Sequence, residues 1–190
     1  LDVAVEQRAL GLHELLGPLV AHGDVHVARL VGVGAGRVDD RLAALRIDLS
    51  RDALQAIGAR LSQDPVFQVR YEMVSVLARY ASTTQQCRPL ITMFDDVEPT
   101  VALRAMDLVP ETCPDKSDIV RLLITAAAEL GRPESEMRWH RPAHAFMAVS
   151  RLAPDVAKGL MEAAERHAAW QVRAAAATVV WVMMILGFIV

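Results

Sequence analysis

The chain has 190 residues, enough to bury a sizeable core. Hydrophobic residues make up 53% and aromatics only 5%, with alanine, leucine and valine dominant; that mixture suits close helix packing and argues against strands. Net charge is −3, which argues against a general nucleic-acid binder with a basic face. The positive charge is almost all arginine, Lys116 and Lys158 being the two lysines, and arginine's planar head suits ion pairs and protein interfaces.

In chain order, Val3 to Val20 reads as a helix ended near Gly17-Pro18. Leu30 to Gly36 is glycine-rich and reads as a loop or a short distorted helix. Leu54 to Leu61 makes a short helix with Ser50 as a candidate cap. From Val66 to Ala81 the apolar residues Val66, Val69, Met73, Val76, Leu77 and Tyr80 recur at three and four, one stripe of a helix. Asp64-Pro65 is its start signal, aspartate as N-cap and proline at the first helical position. Ile119 to Leu130 repeats the pattern and stops at Gly131-Arg132-Pro133. Ala153-Pro154-Asp155 opens a helix through about Arg166. Connections are short, so one compact array is expected rather than two tethered domains.

Cys87 and Cys113 have no metal-ligand spacing, and two cysteines are no disulfide framework. They are expected as reduced, mostly buried thiols of a cytoplasmic protein.

Four segments line up as a repeat. They begin at Asp64, Asp96, Trp139 and His167, and Val69, Val101, His144 and Val172 take equivalent places at intervals of 32, 43 and 28 residues. Each is preceded by another helical stretch. The pattern resembles the HEAT family, in particular the short bacterial HEAT-like repeats first recognised in bilin lyases. That family's second-helix signature is Asp-x-x-x-x-Val-Arg-x-x-Ala. Asp64, Val69 and Arg70 fit it, with Met73 in the Ala place. Asp96, Val101 and Ala105 fit, with Ala102 replacing Arg. Val172, Arg173 and Ala176 fit, with His167 replacing Asp. The third segment keeps only Ala148.

The resemblance implies an all-α fold, a right-handed α-solenoid of HEAT-like antiparallel helix pairs with a concave groove for partners. Residues 1–49 would be an N-terminal helical cap or degenerate repeat, 50–177 the array, and 178–190 an apolar C-terminal helix end. In the family the Asp and Arg bond along the stack, so a ladder complete only at 64–70 is expected here. The stretches Asp-Pro-Val-Phe-Gln-Val-Arg-Tyr-Glu and Trp-His-Arg-Pro-Ala-His-Ala are also similar to HEAT arrays of some bacterial cyclophilin-type peptidyl-prolyl isomerases. That resemblance would make the chain their non-catalytic accessory segment. A nucleic-acid-binding HEAT protein is the remaining alternative, with an arginine row on the concave face.

No catalytic or cofactor constellation stands out. His140 and His144 have a helical metal-ligand spacing, as do His22 and His26, but Pro142 and Gly23 interrupt them and no His-Glu-x-x-His base is present. His13-Glu14 is a lone pair where a di-iron HEAT hydroxylase needs several. Gly32-x-Gly34-x-Gly36-Arg37 lacks the Lys-Ser/Thr of a phosphate loop. Ser75, Ser150 and Cys113 lie in no nucleophile context. The expected function is a non-catalytic protein-binding scaffold for another protein or domain. Its candidate partner-binding residues are Arg70, Arg104, Trp139, Arg141, Trp170 and Arg173. The arginines can instead serve ion pairs with Asp64, Asp95, Asp96 or Glu98, and the tryptophans inter-repeat packing.

Ala174 to Val190 carries no charge. Three readings compete: a helix covered by further repeats, a dimer or folded-back contact, and a membrane anchor at the lower limit of a span.

Overall fold

The computed structural model describes residues 58, 61–132, 138–185 and 187. The expected elements at Val3–Val20, Leu30–Gly36 and Leu54–Leu61, with His13, Glu14, His22 and His26, lie outside the described residues, apart from Gly58 and Leu61. The described residues are all-helical, with seven α-helices and no strand. They are α1 Phe67–Thr84, α2 Arg88–Thr92, α3 Pro99–Leu108, α4 Lys116–Ala127, α5 His140–Leu152, α6 Pro154–Glu165 and α7 Trp170–Ile185. Single 3-10 turns follow α2 at Met93–Asp95 and α4 at Ala128–Gly131.

The chain divides into two compact units, Leu1–Val76 and Leu77–Val190, with the boundary inside α1. The described part of the first unit carries the turn at Asp64 and the first half of α1. Within it Val69, Met73 and Val74 are fully buried.

In the second unit α5 is the hub. It packs against α3, α4, α6 and α7, and α6 packs in turn on α7 and on the 3-10 turn after α4. The sequence of α5 suits that position, since Ala143, Ala145 and Ala148 admit close neighbours while Phe146, Val149 and Leu152 fill the space between them, all buried. Full burial of a side chain such as Phe146 is worth about 2–3 kcal/mol. Proline is the first residue of α3 and α6, at Pro99 and Pro154, and the second of α2, at Pro89, positions where its missing N–H is no loss. Helix α1 ends on Gln85 at φ 61°, a left-handed cap unusual for a residue with a Cβ, and Tyr80 Oη donates to Gln86 Oε1 at 2.7 Å beside it.

One expectation about a helix start changes. Pro65 is not the first residue of α1, which begins at Phe67. Asp64 Oδ1 accepts instead from Val66 N at 2.9 Å, closing a tight turn that aims the chain into the helix.

The expectation of reduced thiols is overturned. Cys87 and Cys113 form a disulfide, with Cα atoms 5.8 Å apart. Cys87 is the N-cap of α2 and Cys113 lies in the turn before α4, so the bond clamps both ends of a 26-residue excursion through α3. Sequence spacing carries no sign of this, because the turn Val109–Asp115 must first bring the chain back beside α2.

The apolar C-terminal stretch is one continuous helix across Ala177 as far as Ile185. Gly187 follows at φ 75°, a conformation glycine adopts without strain. Among the described residues no helix is long and apolar enough to cross a membrane.

Candidate binding groove

Three of the four repeated segments share one turn, in which the first side chain accepts from the backbone N–H two residues on. Asp64 accepts from Val66, Asp96 Oδ1 from Glu98 N at 2.8 Å, and His167 Nδ1 from Ala169 N at 3.0 Å. His167 therefore does the work of the missing aspartate, its ring nitrogen replacing a carboxylate oxygen. Arginine six residues later closes the same turn: Arg70 Nη1 donates to the Asp64 carbonyl at 2.7 Å, and Arg173 Nη1 to the His167 carbonyl at 2.7 Å. These bonds lie within a segment.

The third segment departs from the pattern and makes a long-range tie instead. Arg141 Nη1 donates to the Phe94 carbonyl at 3.0 Å and Nη2 to Asp95 Oδ1 at 2.8 Å, joining the start of α5 to the 3-10 turn before α3. Trp139 stacks on His140, with ring centroids 3.8 Å apart.

Burial follows the repeat register. The eleventh and fourteenth positions, Val74 and Leu77, Met106 and Val109, and Val149 and Leu152, are buried in the first three segments. The sixth position is fully buried where it is Val69, Val101 or Val172. His144 occupies that place in α5 and is only half-buried. Its Nδ1–H reaches Asp107 Oδ1 of α3 at 2.7 Å.

Around that pair lies a groove of about 340 Å³. Asp107 of α3 lines one wall. Ala143, His144, Met147 and Arg151 of α5, with Trp139 just before it, form the floor. Gln171 and Ala175 of α7 form the other wall. Arg151 is fixed over the end of α3, its Nη2 donating to the carbonyls of Met106 at 3.2 Å and Asp107 at 2.7 Å. A cation there satisfies carbonyls the helix leaves open and complements its dipole. Charge, imidazole and thioether thus share one surface, with the polar heads held from below. A second hollow of about 440 Å³ lies between Arg88–Asp95 and α4, with Arg141 at its edge.

The six residues singled out from sequence do not gather at one place. Trp139 lines the groove. Arg141 lines the second hollow. Arg70 is buried in its own turn, and Arg173 is turned onto the carbonyls of His167 and Ala168. Arg104 is half-buried within α3, and Trp170 is 65% exposed at the start of α7. Sequence alone does not mark Asp107, Met147, Arg151 or Gln171, because each looks like an ordinary surface residue of an amphipathic helix. In sequence His144 reads as an ordinary surface or capping histidine, or as a metal ligand at helical spacing from His140. The usable signal was a histidine where the repeat elsewhere holds a buried valine.

Among the described residues no cluster of three or more His, Cys, Asp or Glu is arranged to hold a metal ion. The hydroxyl of Ser150 donates to the Met147 carbonyl at 2.8 Å, and both cysteines are joined to each other. The chain matches no protein-family model, no curated protein and no solved structure.

Proposed function

We propose that the chain is a non-catalytic scaffold of HEAT-like helix pairs, a right-handed solenoid whose α3, α5 and α7 form a partner-binding face. The observation that carries this is the groove itself. Helices α3, α5 and α7 contribute to one surface, on which a methionine and a tryptophan share a groove with a carboxylate and a guanidinium. Methionine adapts to irregular apolar shapes, and tryptophan and arginine are frequent anchors of binding energy. The partner is another protein or domain, bound through a short segment with an apolar side chain for Met147 and Trp139. The Cys87–Cys113 bond supports an oxidising setting for this work rather than the cytoplasmic one expected from sequence.

Peptides selected from a random display library on the full chain test the proposal. Binding should fall at least about tenfold in Met147→Glu and in Trp139→Ala, since central contacts dominate such interfaces. It should not change in Lys158→Ala, on the exposed side of α6. Peptides that bind all three variants alike would place the binding surface elsewhere and end the groove reading.

A further inference from the structure

Helix α7 has two apolar faces. One is covered: Val172, Ala176, Val179 and Met183 are buried against the rest of the unit. The other is bare. Trp170, Ala174, Ala177, Trp181 and Met184 are all exposed, Trp170 at 65% and Trp181 at 61%. Their spacing of four, three, four and three is the seam of a two-helix coiled coil, the period that keeps one stripe facing a partner helix.

We propose that this seam is a self-association surface, on which α7 of a second copy packs antiparallel about a two-fold axis passing between Ala174 and Ala177. Two observations select a second copy. First, from Trp170 to Trp181 the seam reads Trp-Ala-Ala-Trp, a palindrome, with Met184 beyond it. An isologous contact requires that residue i meet j while j meets i. An antiparallel pair places Trp170 on Trp181 of the second copy, and Ala174 on its Ala177. The alanines let the helices approach closely at the centre, and the tryptophans close over the partner at both ends. Second, no charge stands on the seam. Arg173 is the only charged residue of α7, and its Nη1 is held by the carbonyls of His167 and Ala168. The pairing therefore buries no unpaired charge and sets no like charges face to face.

The groove lies on a third face of α7, through Gln171 and Ala175, so the two surfaces can be tested independently.

Sedimentation velocity of the full chain over a concentration series, without detergent, tests the proposal. A reversible monomer–dimer equilibrium is expected. Trp181→Glu and Trp170→Lys should each weaken dimerisation about a thousandfold, because each substitution falls at both ends of the two-fold contact and a hot-spot tryptophan is typically worth about thirtyfold. Both side chains are exposed, so far-UV circular dichroism should show the helices intact in each variant. A one-to-one mixture of the two variants should regain the dimer, because one Trp–Trp contact survives and a Glu–Lys pair replaces the other. A monomeric wild-type chain overturns the proposal. So does a dimer that survives both substitutions, or an open-ended oligomer. Loss in each variant without recovery on mixing overturns the antiparallel pairing.

Discussion

Helices α5 and α7 start from corresponding repeat segments and end in opposite situations. Helix α5 touches four other helices, and Phe146, Val149 and Leu152 are buried. Helix α7 is more apolar along its length, yet Trp181, Met184 and Ile185 remain exposed. Hydrophobicity therefore does not rank these helices by burial. Neighbours do, because the hydrophobic effect acts on area removed from water and a helix removes only what another element covers.

Substitutions in the two helices should separate that difference. Phe146→Ala leaves a cavity among four helices and should cost about 3–5 kcal/mol by urea unfolding. An effect under about 1 kcal/mol would mean that α5 is not the hub. Next comes the clamp beside it. Cys87→Ser, or a reductant, should lower stability by about 2–4 kcal/mol through the 26-residue loop it frees. Thermal unfolding with and without reductant measures this, and coincident curves would show that the clamp is idle.

The turn closures rank third. Arg70→Ala leaves the Asp64 carbonyl without its donor and should cost about 1–3 kcal/mol. His167→Asp should be close to neutral and His167→Ala should cost about 1 kcal/mol, since an aspartate oxygen can accept from Ala169 as Asp64 does from Val66. Equal losses in both would mean that ring packing of His167, not its nitrogen, matters. The smallest effect belongs to α7: at concentrations where the chain is monomeric, Trp181→Ala should shift stability by less than about 0.5 kcal/mol. A cost near that of Phe146→Ala would show that the outer face of α7 is covered within one copy.

Much of the helix pattern was legible in the residues. The stripe at Val66 to Ala81, the stop at Gly131 and the start at Pro154 all correspond to elements of the structure. The equivalence of Asp64 and His167 was visible only as a mismatch, because sequence comparison sees residue type while the turn needs one acceptor atom. The groove was less legible still. Its walls come from α3, α5 and α7, and Asp107 lies 37 residues from His144.

The sequence by itself determined the all-helical character of the described residues, since helical period, proline starts and small side chains act over a turn or two of chain. Only the tertiary structure decided which apolar stripes are covered, that Cys87 meets Cys113, and that a histidine in a valine's place faces a carboxylate across a groove. Those outcomes depend on distances between residues tens of positions apart, and such distances do not exist until the helices pack.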